Sequence, residues 1–525
     1  MKRPLGAQIS HMLRDRGVEV IFGIPGVHNQ EMYRGIEEAG IRHVLARHEQ
    51  GAGFMADGYA RATGNPGVAY VITGPGLSNI MTPMGQAYSD SVPMLVLSSC
   101  LDETAARRGQ LHQMRDQRAA AAAVCDWSEQ ASTARAAYGL VERAFEEFEA
   151  HRPRPKHIQT PIAVLEAEAD PAPPPNMPGT TPEVRKPDVA PLLSLLNIAR
   201  RPLFILGGGA QSHLWVQILR QLGAAAFTTG AGRGLVGANY PLGFGSMLAR
   251  PGSAEVIASA DLVVAVGTEL AEVDLWRDHL GHKAPMVRVD LDPEVLADAQ
   301  RATIKLRADA GRFAAALWAE IEDRPQRESG WTAEEVAKAR TRWNAEVDAE
   351  RPGILPVCNA LREVLSPDTM IYSDMTQFAY VATDIWDMPR PRYWHHPTGY
   401  GTLGYALPAA IGGAVGRPGM PTMAIAGDYG FQYTMQELGV AVELGLSLPI
   451  LLWDNGKLKE IEDSMIAAQI APNAVVARNP DFCKLAEAYG AAAEKPNSLG
   501  ELQKVLETAF GAGRPTLIHM TPEML

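Results

Sequence analysis

Two loops in the last third of the chain combine oxygen-bearing side chains with glycines. The first loop, Ala426–Phe431, has the sequence AGDYGF, and the second, Leu452–Lys457, has the sequence LWDNGK. Each loop follows an apolar run typical of a buried strand, and 26 residues separate Asp428 from Asn455. Because open α/β sheets bind ligands at the carboxyl ends of neighbouring strands, we expect the two loops to lie together. A carboxylate and an amide oxygen in that position suit Mg²⁺.

The glycines of the first loop indicate a second ligand beside the metal. Gly427 and Gly430 let backbone amides approach phosphate oxygens, and the helix that follows offers its positive N-terminus. The pattern therefore predicts a joint site for magnesium and a diphosphate group. The alternative interpretation is an ordinary Gly-Asp turn and an unrelated Asp-Asn turn.

A carboxylate near the start of the chain is a candidate for acid–base chemistry. The segment 47–61, RHEQGAGFMADGYAR, follows a short apolar strand and has a helical pattern. Glu49 lies at the start of this helix, where the helix dipole stabilises a carboxylate. Small residues at positions 53, 56 and 60 give the helix a face for close packing. The alternative is a helix-terminal carboxylate without chemistry.

Alternating strands and helices must position these groups. In the first block, apolar runs predict four strands, at Val18–Gly23, His43–Ala46, Val68–Thr73 and Met94–Ser99. Helical patterns at Ala52–Ala62 and Leu77–Ser89 separate them. Such alternation predicts a parallel sheet covered on both faces by helices.

Two further blocks have the same pattern. The second has predicted strands at Leu203–Leu206, Leu262–Val266 and Met286–Asp290, and the third at Met370–Ser373, Thr422–Ala426, Ile450–Trp453 and Thr516–His519. Proline-rich sequence after Asp170 cannot form a central strand or a helix, so it predicts a linker. We therefore expect three doubly wound parallel-sheet α/β domains, at 1–168, 188–345 and 353–525, with a linker at 169–187.

Composition excludes several classes of protein. A formal net charge of −12 leaves no excess of Lys or Arg for general nucleic-acid binding. No apolar stretch approaches the roughly 20 residues that cross a bilayer, so no membrane partner is expected. Four scattered cysteines favour the cytoplasm over a disulfide-forming compartment. The first 17 residues predict an amphipathic helix rather than a signal peptide.

The paired loops resemble a family signature. Gly-Asp-Gly followed by Asn-Asn at this spacing is typical of thiamine-diphosphate enzymes, and the 47–61 segment resembles the acetolactate synthase-like and 2-oxo acid decarboxylase group. The resemblance implies Mg²⁺ ligands from Asp428, Asn455 and the Lys457 carbonyl. Tyr429 and Asp454 depart from the signature, where the family usually has glycine and asparagine.

The resemblance also assigns roles around the cofactor. It implies that Glu49 hydrogen-bonds the aminopyrimidine ring and favours the tautomer that removes the C2 proton. It implies that Leu403, in TGYGTLGYALPAA, holds the cofactor bent, and that the Gly401 carbonyl accepts a hydrogen bond from its amino group. The remaining cofactor-binding residues that it implies are Pro25, Gly26, Gly74, Asn79, Gln377, Gly427, Tyr429, Gly430 and Leu458.

The substrate end is less defined by the sequence. Candidates that face the reacting carbon are His28, His112, Gln113, Gln377 and either His395 or His396, each with an alternative as an ordinary surface or core residue. The segment Leu458–Met465 is strongly charged. It and TGYGTLGYALPAA resemble decarboxylases of 5-guanidino-2-oxopentanoate, in which Glu460 or Glu462 would meet a cationic tail. A solvated helix face is the alternative.

The resemblance implies a function and its rivals. We expect nonoxidative decarboxylation of a 2-oxo acid through a C2 ylid and an enamine, in a homodimer or a dimer of dimers. The first alternative is acetolactate synthase-type joining of two 2-oxo acids. A non-catalytic thiamine-diphosphate- or nucleotide-binding protein is the alternative of another class. The glycine triplet Gly207–Gly209 leaves FAD as a further cofactor that we do not favour.

Overall fold

The computed structural model describes residues 1–102, 109–175, 186–298, 300 and 302–524. The chain divides into two compact units. The first contains Met1–Thr180, Thr369–Thr376 and His396–Leu525, and the second contains Thr181–Asp368 and Gln377–His395. Glu49 and both metal-binding loops predicted from the sequence therefore belong to the first unit.

The N-terminal part of the first unit is built around a six-stranded parallel sheet with the order β3-β2-β4-β5-β7-β6. Its strands are β2 (Val20–Gly23), β3 (Arg42–Leu45), β4 (Gly67–Val71), β5 (Met94–Cys100), β6 (Trp127–Gln130) and β7 (Lys156–Pro161). Two short strands, β1 (Arg3–Pro4) and β8 (Glu168–Ala169), pair antiparallel. The helices are α1 (Leu5–Asp15), α2 (Gln30–Glu38), α3 (Glu49–Thr63), α4 (Pro75–Ser89), α5 (Gln117–Ala122), α6 (Ala134–Ala150) and α7 (Ile162–Glu166).

The second unit contains another six-stranded parallel sheet. Its order is β11-β10-β9-β12-β13-β14. The strands are β9 (Pro202–Leu206), β10 (Ala225–Thr228), β11 (Gly243–Gly245), β12 (Leu262–Val266), β13 (Met286–Asp290) and β14 (Ile304–Arg307). The helices before residue 369 are α8 (Ala190–Leu196), α9 (Trp215–Leu222), α10 (Ser253–Ala258), α11 (Glu272–Leu275), α12 (Pro293–Leu296), α13 (Ala310–Ile321), α14 (Ala333–Glu350) and α15 (Ile354–Val364).

The remainder of the chain forms a third parallel sheet. β15 (Met370–Ser373) belongs to the first unit, whereas α16 (Gln377–Ile385) and β16 (Trp394–His395) belong to the second. The first unit then continues with α17 (Ala406–Gly416), β17 (Thr422–Gly427), α18 (Asp428–Thr434), a 3₁₀ turn (Met435–Glu437), α19 (Leu438–Glu443), β18 (Pro449–Trp453), α20 (Lys459–Ala467), α21 (Phe482–Ala488), β19 (Ala492–Glu494), α22 (Leu499–Ala509), β20 (Thr516–Met520) and a 3₁₀ turn (Pro522–Met524). Within this unit the strands pair in the order β15-β17-β18-β20-β19.

These three parallel sheets confirm the predicted fold class. The strands expected from apolar runs occur within two residues of their predicted ends. The predicted helix Ala52–Ala62 begins earlier, at Glu49, because His48 caps it. The domain limits remain predictions, and most of the predicted linker, residues 176–185, lies outside the described residues.

The two helices α3 and α17 pack backbone against backbone inside the first unit. A Cβ atom on Gly58 would lie 2.0 Å from the carbonyl oxygen of Ala409, and one on Gly412 would lie 1.9 Å from that of Met55. Glycine at these two positions is therefore required by the close approach. The contact fixes the helix that begins at Glu49 against the third sheet, on which both metal-binding loops lie.

The glycine triplet of the second unit has a structural role. It follows β9, and a Cβ atom on Gly207 would lie 2.2 Å from the carbonyl oxygen of Gly267. The triplet thus lets the chain pass close to the loop after β12. Elsewhere, no helix among the described residues is both long and apolar enough to span a membrane.

Candidate active site

Glu49 is a buried carboxylate at the first position of α3. Its residue exposure is 8%, and one carboxylate oxygen accepts a hydrogen bond of 2.9 Å from the side-chain amide of Asn79 on α4. Gly76, in the first turn of α4, leaves space beside the other carboxylate oxygen of Glu49, since a Cβ atom there would lie 3.4 Å from that oxygen. Two of the predicted cofactor residues, Glu49 and Asn79, are therefore in direct contact.

Two of the predicted cofactor glycines lie in loops of the N-terminal sheet. The N–H of Gly26, which follows Pro25 in the loop after β2, donates to the Asn29 side-chain oxygen at 2.8 Å. Gly74 precedes α4 with φ +73°, and a Cβ atom there would lie 2.3 Å from the His112 carbonyl oxygen. Gly74 is thus required both by its backbone conformation and by the loop that carries His112.

His28 and His112 form a pair of rings. Their centroids are 4.9 Å apart with the planes nearly perpendicular, and His112 has φ +64°. The Nδ1 atoms of both rings are buried and have no hydrogen-bond partner among the described residues. Burial, together with the neighbouring His112, lowers the pKa of His28 and so favours its neutral ring. The structure therefore brings together two of the predicted substrate-side residues.

Gln113 is exposed, whereas its neighbour His112 is half-buried. The Gln113 side-chain oxygen accepts from the N–H of Gln110 within the same loop. Gln117, which the sequence did not single out, is buried instead. It accepts from the N–H of Gly74 at 2.8 Å and donates to the Ser99 carbonyl at 2.9 Å. This side chain connects the Gly74 loop with the end of β5.

The two predicted metal-binding loops do lie side by side, because β17 and β18 are neighbours in parallel register. Asp428 begins α18 at 3% exposure, directly after Gly427, and burial raises the pKa of its carboxyl group. The Asn455 side-chain oxygen accepts from the N–H of Lys457 at 3.2 Å. Leu458 donates its N–H to the Val475 carbonyl, which fixes the end of this loop.

One side chain that the sequence did not reveal joins the two loops. The Asn479 amide nitrogen donates to Asp428 at 2.7 Å and to Asp454 at 2.8 Å. Asp454 also contacts the ring of His519 at 2.9 Å. Burial alone would raise the pKa of Asp454, but the hydrogen bonds from His519 and Asn479 outweigh it, and the pKa is lowered. The aspartate that departs from the family signature therefore has its own partners in this chain.

The donor set suits a magnesium ion that is completed by phosphate oxygens. Among the described residues, no three His, Cys, Asp or Glu side chains converge on one point. A metal here would instead use one carboxylate, one amide oxygen and a backbone carbonyl, all hard oxygen donors. The half-buried Tyr429 follows Asp428, and a Cβ atom on Gly430 would lie 2.8 Å from the Asp374 carboxyl carbon.

Asp374 organises the loop that contains Gly401 and Leu403. Its buried carboxylate accepts from the backbone N–H groups of Gly404 and Ala406 at 3.1–3.3 Å. Burial raises its pKa to about 6, although these backbone bonds oppose the shift. Gly401 has φ +67°, and Leu403 is half-buried. The predicted wedge residue is therefore held by a carboxylate that sequence patterns did not indicate.

Three other predicted residues are divided between the units. His396 belongs to the first unit, where its ring contacts the hydroxyl of Ser373 at 2.9 Å. Gln377, at the start of α16, and the buried His395 belong to the second.

The sheets, the glutamate at the start of α3 and the paired oxygen loops define a cofactor-dependent enzyme. The chain belongs to the thiamine pyrophosphate enzyme family, because the family models of the N-terminal TPP-binding domain, the central domain and the C-terminal TPP-binding domain match residues 3–120, 189–317 and 374–520. Thiamine pyrophosphate is thiamine diphosphate. The family resemblance and thiamine diphosphate as the predicted cofactor are thus confirmed, whereas Mg²⁺ stays a prediction.

Relatives extend over almost the whole chain. A probable 2-ketoarginine decarboxylase (AruI) from Pseudomonas aeruginosa is 42% identical over 98% of this chain and 93% of its own length. The acetolactate synthase isozyme 2 large subunit of Escherichia coli is 28% identical over 99% of this chain and 96% of its own. An acetolactate synthase from Arthrospira platensis is 28% identical over 99% and 94%.

Proposed function

We propose that this protein decarboxylates 5-guanidino-2-oxopentanoate, which is 2-ketoarginine, to an aldehyde and CO₂ without oxidation. The observation that carries the proposal is the buried Glu49–Asn79 pair at the start of α3, in a chain 42% identical to a probable 2-ketoarginine decarboxylase. Bound thiamine diphosphate supplies a carbon nucleophile and an acceptor for the electrons of the breaking bond.

Glu49 would bind and orient the aminopyrimidine end of that cofactor. Its carboxylate is shielded from water and accepts from Asn79 through one oxygen, so its second oxygen would be available to the ligand. A hydrogen bond from a fixed carboxylate selects one tautomer of the ring and positions the ring nitrogen for proton transfer. The role of Glu49 is therefore acid–base chemistry exerted through a bound heterocycle.

The opposite end of the cofactor would be held by the loops after β17 and β18. Asp428, Asn455 and the Lys457 carbonyl would hold Mg²⁺, and Gly427 and Gly430 would admit the diphosphate. Leu403 would hold the cofactor bent, and the Gly401 carbonyl would accept from its amino group.

His28 and His112 would transfer the proton that takes the place of CO₂ in the product. Two neighbouring rings with buried Nδ1 atoms that lack a partner among the described residues can bind a water molecule or a substrate oxygen and pass a proton. Gln113, Gln377 and His396 remain further candidates for contact with substrate.

The charged helix α20 would supply the contact with the guanidinium tail. Glu460 and Glu462 lie in its first turn, and Glu462 pairs with the ammonium group of Lys457 at 3.1 Å. Lys457 is also the residue whose carbonyl would bind the metal. A carboxylate at this place would therefore lie near the bound cofactor, where it could make a bidentate contact with guanidinium.

Acetolactate synthase chemistry is the second candidate, since two relatives with that name align over the whole chain at 28% identity. We further propose a homodimer or a dimer of dimers in the cytoplasm. FAD is not part of the proposal.

The test measures CO₂ release from a panel of 2-oxo acids with saturating thiamine diphosphate and Mg²⁺. We expect kcat/KM for 5-guanidino-2-oxopentanoate to exceed that for pyruvate by about 100-fold or more, as expected for a site built to bind a charged group. Acetolactate formed from pyruvate at a comparable rate would favour the second candidate. Cofactor binding with no C2 hydrogen exchange would indicate a non-catalytic protein.

A further inference from the structure

Glu437 is a completely buried carboxylate that reaches the start of the glutamate helix. It is 0% exposed and ends the 3₁₀ turn Met435–Glu437. Its oxygens accept from the backbone N–H of Arg47 at 3.1 and 3.2 Å and from that of His48 at 3.0 Å. These two residues immediately precede Glu49, so the carboxylate holds the peptide that leads into the predicted acid–base residue.

The helix itself is shaped around this carboxylate. A Cβ atom on Gly51 would lie 2.2 Å from one oxygen of Glu437, so a larger residue there would displace the carboxylate. His48 caps α3, because its ring nitrogen accepts from the N–H of Gln50 at 3.1 Å. A negative charge at this end of a 15-residue helix is stabilised by the helix dipole.

Glu437 also lies on the segment that begins with the proposed metal ligand. Asp428 starts α18, and the 3₁₀ turn and α19 continue from it without interruption. One helical segment therefore begins with Asp428 and, through Glu437 near its middle, binds the residues that lead into α3. No other side-chain hydrogen bond in the described residues connects this segment with the N–H groups of Arg47 and His48.

We propose that Glu437 is a positioning residue for Glu49, fixing the first turn of α3 so that the Glu49 carboxylate meets the aminopyrimidine ring correctly. The proposal rests on the function proposed for Glu49. A hydrogen-bonding group that misplaces a reacting group by about 1 Å can cost on the order of 100-fold in rate.

The experiment compares three variants with wild type. Glu437→Ala removes the acceptor and leaves two buried N–H groups unpaired. Gly51→Ala keeps Glu437 but adds a methyl group where its carboxylate lies, while favouring helix formation by about 1 kcal/mol. Glu443→Gln is the matched control, because Glu443 pairs with the Arg47 side chain on the exposed surface at 57% side-chain exposure.

Two measurements are made on each protein. Amide hydrogen exchange of residues 47–52, without cofactor, reports whether the first turn of α3 is held. The rate of C2 hydrogen exchange at saturating thiamine diphosphate reports whether Glu49 is correctly positioned, and the cofactor Kd shows whether binding itself has changed. We expect Glu437→Ala and Gly51→Ala to lose protection and to slow C2 exchange by about 10- to 100-fold with Kd changed by less than about threefold.

The outcomes separate this proposal from the function on which it rests. C2 exchange within about twofold of wild type in a folded Gly51→Ala protein would overturn the positioning role, as would equal slowing in Glu443→Gln. If wild type itself shows no C2 exchange, the proposed function fails. Unchanged amide protection in Gly51→Ala would independently show that Glu437 does not hold the first turn of α3. Gly51→Ala also decides the matter if Glu437→Ala does not fold.

Discussion

The helix that starts at Glu49, α3, and the helix that follows the second predicted metal-binding loop, α20, differ in how they are held in the fold. In α3, 11 of 15 residues are buried, and Gly58 lies against Ala409 of α17. In α20, no residue is buried. The pyrimidine-side helix is therefore fixed by core packing, whereas the position of α20 depends on polar contacts at the surface.

Those surface contacts are weak individually. Lys459 pairs with Asp463, and Lys457 with Glu462, on partly exposed side chains. Ion pairs of this kind contribute about 0–1 kcal/mol. Apolar side chains from this region also remain exposed, at 49–65%: Ile461, Ile466, Ile470 and Val476. Under the proposed function, acid–base chemistry therefore lies on the tightly packed helix and contact with the substrate tail on the exposed one.

The largest expected effect is on the metal loop. Asp428→Ala removes the carboxylate that begins α18, and we expect Mg²⁺-dependent binding of thiamine diphosphate to weaken by at least about 100-fold, since truncating one group of a charged contact costs several kcal/mol. Calorimetry checks this. Asp463→Ala, on the exposed part of α20, is the control and should bind normally; binding retained by Asp428→Ala would place the metal elsewhere.

Glu49→Gln should separate binding from chemistry. The amide keeps the shape of the side chain and its packing beside Asn79, but it cannot act as the charged acid–base partner. We expect C2 exchange of the bound cofactor to slow by about 10²–10⁴-fold, the usual range for such a group. Nuclear magnetic resonance after acid quenching measures that rate, with Kd within about tenfold of wild type. Normal exchange would show that the rigid helix does not carry the chemistry.

Much of this site was predictable because its motifs are local in sequence. Asp428 and Asn455 follow consecutive apolar strands, and parallel pairing of β17 with β18 brings them together. Glu49 could be predicted because it lies at the start of a helical pattern that contains several small residues. Asn479, Asp374 and Glu437 could not be predicted, because each acts on partners at least 25 residues away and no periodicity marks a lone buried polar residue.

Packing provides the third test of the comparison. Gly58→Ala in α3 would put a methyl group 2.0 Å from the Ala409 carbonyl oxygen. We expect the free energy of unfolding to fall by about 3 kcal/mol, at the upper end for overpacked cores. Ile466→Ser on α20 should change it by less than about 0.5 kcal/mol. Denaturant titration measures both; similar effects at the two sites would contradict the contrast between the helices.

The smallest effect concerns the pH dependence of stability at Glu437. Burial raises the pKa of this carboxyl group to about 7, while the backbone N–H groups of Arg47 and His48 and the charge of Arg47 lower it, and nearby Glu49 raises it. Between about pH 4.5 and 7 the unfolded chain has lost the proton and the folded chain retains it. The contribution of this group to stability therefore falls as pH rises through that window and is constant above it.

Glu437→Gln isolates that contribution, because the amide does not titrate and its oxygen can still accept from both N–H groups. Relative to wild type, the variant should gain about 2–3 kcal/mol in the free energy of unfolding between pH 5 and pH 8, since about two units of the pKa difference fall in that range and each pKa unit corresponds to about 1.4 kcal/mol. Denaturant titrations at the two pH values measure the difference, with Glu443→Gln as the exposed control. If the difference in the free energy of unfolding between variant and wild type does not change with pH, Glu437 ionises normally. The tightly packed start of α3 would then hold a buried charge without a cost in stability.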